Sequence, residues 1–64
     1  MHKNVSTPRS ILITGASSGI GEALALHYAA PDVFLALSGR DEDRLLAVAA
    51  ACRAKGATTD VAVL

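Results

Sequence analysis

Thr14-Gly15-Ala16-Ser17-Ser18-Gly19-Ile20-Gly21 is the stretch on which the fold turns. It follows three consecutive apolar residues, Ile11-Leu12-Ile13, and opens a helix-like stretch that continues to Ala30. A glycine-rich turn between a strand and a helix gathers free backbone N–H groups at the positive end of the helix dipole, which suits a dinucleotide's phosphates. Gly15 allows a tight turn out of the strand. Gly19 lets the main chain approach a pyrophosphate with no Cβ in the way, and Gly21 lets the helix pack tightly on the sheet. The amides around Ser18, Gly19 and Ile20 are expected to face the ligand. No lysine follows the last glycine, so the run is not a P-loop.

Outward from the turn, the pattern alternates. Residues 10–14 read as a buried strand, β-branched at two of three core positions. A helix is expected from about Gly19 to Ala30, with Ile20, Ala23, Leu24 and Tyr28 as its apolar stripe and Pro31-Asp32 as its stop. Val33-Phe34-Leu35-Ala36-Leu37 reads as a second strand, apolar on both faces, and Ser38-Gly39-Arg40-Asp41 as the turn after it. Asp41 is a suitable N-cap for a second helix, with Glu42 and Asp43 in its positively polarised first turn. Leu45, Val48, Ala49 and Cys52 form that helix's stripe, and Lys55-Gly56 ends it. Thr58 to Leu64 begins a third strand. Strand, helix, strand, helix, strand with short loops implies a parallel sheet with right-handed crossovers. The expected fold class is α/β: a βαβαβ half of a doubly wound parallel sheet, truncated in or after the third strand.

Composition narrows the class. The chain has 64 residues, 52% of them apolar, with one Tyr, one Phe and no Trp. A domain this small buries only about 60% of its unfolded surface. Formal net charge is zero, which argues against nucleic acid as a partner. The single cysteine, Cys52, excludes an internal disulfide framework and a cysteine-based zinc cluster, and no metal site is expected. Residues 1–9 read as a disordered polar arm, and residues 10–64 as part of one domain. No apolar run suits a signal peptide or a membrane span, so a cytoplasmic protein without membrane contact is expected.

The spacing departs from the general dinucleotide pattern G-x-G-x-x-G. The run at positions 14–21 resembles T-G-x-x-x-G-I-G, the signature of the compact, non-extended short-chain dehydrogenase/reductase family, and matches it at every fixed position. The stretch from Ser10 to Leu64 is similar to that family's opening βαβαβ, a Rossmann-like unit. The resemblance implies that Gly15, Ser17, Ser18, Gly19, Ile20 and Gly21 line the adenosine ribose and diphosphate of the cofactor. Ser17 would offer its hydroxyl toward the ribose, while Thr14 would tie down the turn.

The acidic residue that reads a free ribose 2′-hydroxyl belongs about 20 residues past the glycine turn, at the end of the second strand. Gly39 stands there, followed by Arg40. A guanidinium binds a 2′-phosphate in a forked geometry, whereas a carboxylate repels it. NADP is therefore expected over NAD, with Arg40 on the phosphate and Ser38 adding a hydroxyl donor. The bland alternative is a loop arginine paired with Asp41 or Asp43.

No catalytic residue is expected within the chain. The family resemblance implies hydride transfer between a carbonyl and an alcohol, served by an Asn-Ala-Gly run and a Tyr-x-x-x-Lys pair, and neither occurs here. Tyr28 has Asp32 four residues later, so it is read as a packing residue. His27 is read as a surface or boundary residue, and Cys52 as buried filler. Leu64 ends inside an apolar strand, so the expectation is an N-terminal fragment of an NADP-dependent oxidoreductase acting on a small carbonyl or alcohol. The fragment alone would be inactive and the parent a homo-oligomer. The rival reading is a non-catalytic dinucleotide-binding protein or an inactive fragment.

Overall fold

The computed structural model describes residues 9–64. Positions 1–8 of the expected disordered arm lie outside the described residues. Arg9 belongs to the first strand, because its N–H donates to the Asp32 carbonyl at 2.9 Å.

Five elements follow in the expected order: β1 (Arg9–Thr14), α1 (Gly19–Tyr28), β2 (Val33–Gly39), α2 (Glu42–Ala54) and β3 (Thr58–Val63). The strands form one parallel sheet in the order β1-β2-β3. Ile11 pairs with Leu35 and Ile13 with Leu37, and Leu37 pairs in turn with Val61. Side chains alternate across a strand. Ile13, Val33, Leu35 and Leu37 therefore share the face on which α1 and α2 lie, and they join Leu45, Val48, Ala49 and Cys52 in one core. Full burial of each such Leu or Val contributes about 1.5–3 kcal/mol. The other face is open among the described residues: Leu12, read as buried, is 70% exposed, and Phe34 is half-exposed.

Helix α2 follows its expected phase. Asp41 Oδ1 accepts from Arg44 N at 3.2 Å, and Leu45, Val48, Ala49 and Cys52 are buried. Gly56, at φ +99°, closes the helix by donating to Arg53 O at 2.9 Å. Burial pushes the Cys52 thiol above its ordinary pKa, an effect that Lys55 and Arg53 partly offset.

Helix α1 does not follow its expected phase. Its buried residues are Gly21 and Ala25, continued by Ala29 at the cap. Ile20 is 79% exposed, and Ala23, Leu24 and Tyr28 also face outward. Gly21 sets the rotation. A Cβ there would come within 2.7 Å of Gly15 C and 2.9 Å of Ala16 Cα, so this side of the helix is pressed onto the turn's backbone. Residues four and eight positions later lie on the same side. The helix ends at Tyr28, two residues short of Ala30, and its return is a type II turn: Val33 N donates to Ala30 O at 3.2 Å, with Pro31 second and Asp32 third at φ +72°.

The two helices are braced against each other. Lys55 Nζ donates to Leu26 O at 2.8 Å, and Arg44 lies 3.7 Å from Glu22. His27 and Tyr28, both exposed, meet edge to face with their ring centroids 5.0 Å apart.

Candidate functional site

The site is built where β1 hands over to α1. Gly15 turns the chain at φ +68°, in the left-handed region that favours glycine. Ser18 then closes the turn on itself. Its N–H donates to Gly15 O at 3.0 Å, and its hydroxyl donates to the same oxygen at 2.7 Å while accepting from Gly21 N at 3.2 Å. Ser18 is thus the N-cap of α1. The expectation that its amide faces a ligand is corrected, since that N–H is consumed by the turn. Thr14, expected to tie the turn down, makes no side-chain hydrogen bond among the described residues. Ser18 does that work, together with Ala16 N, which donates to Ser38 O at 2.8 Å.

Among the described residues, the N–H groups of Gly19 and Ile20 have no protein acceptor, which leaves two donors at the start of α1. The space beside Gly19 is open: a Cβ there would meet nothing within 4 Å. Two free amides, a helix dipole and an uncovered glycine thus lie together in one corner, the donor arrangement that suits an anion. Gly21 is buried and serves this corner by packing rather than by exposure.

The end of β2 lies alongside. Ser17 covers Gly39, whose added Cβ would meet Ser17 Oγ at 2.6 Å. Arg40 is exposed and forms no hydrogen bond or ion pair among the described residues, neither with Asp41, which caps α2, nor with Asp43. Ser38 is only 8% exposed, and what it gives the turn is its carbonyl. No carboxylate occupies the end of β2.

The sequence profile described as short chain dehydrogenase matches residues 9–64. The chain belongs to the short-chain dehydrogenase family. It is 54% identical over 54 residues to 11-beta-hydroxysteroid dehydrogenase-like 4A of Arabidopsis thaliana, which covers 84% of this chain and 18% of that protein. It is 49% identical over 47 residues to glucose 1-dehydrogenase of Gluconobacter oxydans (strain 621H), covering 73% of this chain and 18% of that protein. The chain thus spans less than a fifth of the length of these relatives. A solved short chain dehydrogenase from Shigella flexneri 2a str. 301 superposes with a TM-score of 0.72 at 32% identity, covering 97% of this chain and 29% of that one.

The three-glycine turn that carried the resemblance is thus placed in a short-chain dehydrogenase fold. The double use of the Ser18 hydroxyl was not read from the sequence, although Ser18-Gly19-Ile20-Gly21 ahead of an apolar run carries an N-cap signal. Ser18→Ala removes the cap and the second tie to Gly15. A loss of about 1–2 kcal/mol in urea unfolding of the full-length protein is expected. An unchanged midpoint would mean that the turn stands without the hydroxyl.

Proposed function

We propose that this chain supplies the adenosine-diphosphate half of the cofactor site in an NADP-preferring oxidoreductase. The observation that carries the reading is the end of β2, where Gly39 is covered by Ser17 and followed by an exposed, unpaired Arg40. In this reading the free N–H groups of Gly19 and Ile20 hold the diphosphate, and Ser17 offers its hydroxyl to the ribose. Gly15, Ser18 and Gly21 keep the corner in shape, and Ser38 anchors it through its carbonyl. Arg40 pairs with the 2′-phosphate. The bound nicotinamide would supply hydride chemistry between a small carbonyl compound and the matching alcohol.

The parent would be a cytoplasmic homo-oligomer that brings its own acid/base residues. Its remaining residues would cover the open sheet face at Leu12 and the outward side of α1 at Ile20. Apolar patches of that kind call for a partner surface. Among the described residues, no helix is long and apolar enough to cross a membrane.

The reading is tested by competition on the full-length protein. 2′,5′-ADP should displace bound NADPH at about tenfold lower concentration than 5′-ADP, as one charge-assisted contact requires. Equal potency would remove the NADP preference. Residues 1–64 alone should oxidise no NADPH with a panel of carbonyl compounds, and clear turnover there would sink the division of labour.

A further inference from the structure

Gly39 lies within β2 and is absent from the residues at positive φ, so its backbone conformation admits any amino acid. What restricts it is space. An added Cβ would lie 2.6 Å from Ser17 Oγ, 3.2 Å from Ser17 Cβ and 3.2 Å from Ser17 N. The contact with Oγ forces a shift, and the two at 3.2 Å are tighter than ordinary Cβ contacts, so Ser17 as a whole has to give by a few tenths of an ångström. The hydroxyl alone could swing away, but the N and Cβ of Ser17 cannot retreat easily. Ala16, before it, is fastened to Ser38 O, and Ser18, after it, is fastened to Gly15 O by both N–H and hydroxyl.

We propose that Ser17 is a specificity-determining residue: by filling the space beside Gly39, it keeps a carboxylate out of the position from which a free ribose 2′-hydroxyl is read. The inference rests on the NADP reading above and deepens it. Preference then has two parts, attraction by Arg40 and exclusion by Ser17, and positions 17 and 39 behave as one coupled pair. A carboxylate added at 39 alone must either push the turn aside or leave its own best position. Removing the Ser17 side chain frees the room it needs.

The test is a double-mutant cycle in the full-length protein, read by equilibrium titration with NADH and NADPH and by thermal unfolding without cofactor. Gly39→Asp alone should weaken NADPH binding and leave NADH no tighter than in the wild type. The Ser17→Gly/Gly39→Asp protein should bind NADH about tenfold tighter than Gly39→Asp alone, a coupling usual for residues in contact. NADH binding as tight in the single variant as in the double overturns the proposal. If Gly39→Asp does not fold, Gly39→Ala carries the test without the charge. It should lower the melting temperature, and Ser17→Gly should recover most of the loss, whereas additive losses overturn the proposal. Failure of the NADP reading shows elsewhere, as equal displacement by 2′,5′-ADP and 5′-ADP, and does not touch the coupling between 17 and 39.

Discussion

Gly21→Ala in the full-length protein should lower stability by about 3 kcal/mol, at the upper end of the usual cost of overpacking. The atoms a new Cβ would strike are Gly15 C, Gly15 O and Ala16 Cα, all main chain, so no side chain can swing aside to admit it. Relief requires α1 to back away from the turn. That movement would stretch the bond from Gly21 N to Ser18 Oγ and lift Ala25 and Ala29 off the sheet. Urea and thermal unfolding measure the loss, which corresponds to a melting temperature lower by roughly 10 °C in a protein of family size. Gly19→Ala is the control. It meets no atom within 4 Å, is the first residue of α1 and has no positive φ, so alanine fits there without strain. That variant should be as stable as the wild type or more so, yet bind cofactor worse because its methyl group fills the open corner. If Gly21→Ala melts with the wild type, the close approach of helix and turn is not what holds the site.

Arg40→Ala should weaken NADPH binding by about 10- to 100-fold and change NADH binding by less than about threefold. The guanidinium makes no hydrogen bond or ion pair among the described residues, so its removal leaves no broken polar partner behind and little change in stability. A charge-assisted hydrogen bond is worth about 1.5–3 kcal/mol, and only NADPH carries the phosphate to make it. Raising ionic strength should narrow the difference between the cofactors, since the contact is exposed. Calorimetric titration of both cofactors against both proteins settles the matter. Equal losses for NADH and NADPH would make Arg40 a general contact and not a reader of the 2′-position.

The elements and their order were legible because local signals agree. An apolar run precedes the glycine turn, Asp41 sits where a cap is needed, and Gly56 takes the left-handed conformation that ends α2. The core stripe of α2 was legible because Leu45, Val48 and Cys52 recur at helical spacing behind a charged first turn, although Leu46 and the alanines at 47, 50, 51 and 54 face outward. In α1 the large residues lie on the outward side instead. Ile20, Ala23, Leu24, Ala25, Leu26, Tyr28 and Ala29 surround the axis, so hydrophobic spacing alone does not choose a face. Size chooses it: the side against the turn has to be glycine, and with about 100° per residue that places Ala25 and Ala29 inward and the larger residues outward. In the candidate site, positions 15, 19, 39 and 40 were legible from residue type. The internal engagement of Ser18 and the contact of Ser17 with Gly39 were not, because both depend on where the turn lies against β2.

The bond from Ala16 N to Ser38 O joins the glycine turn to the strand end that precedes Arg40. Both of its partners are main-chain atoms, while Ala16 and Ser38 are themselves buried, so the backbone makes the link and the packing around it limits which side chains these two positions can carry. Proline at position 16 is the one replacement that deletes the donor outright. In the NADP reading proposed above, the geometry that links cofactor grip to cofactor choice is thereby stored in the polypeptide itself, and any retuning of preference at position 39 has to carry position 17 with it.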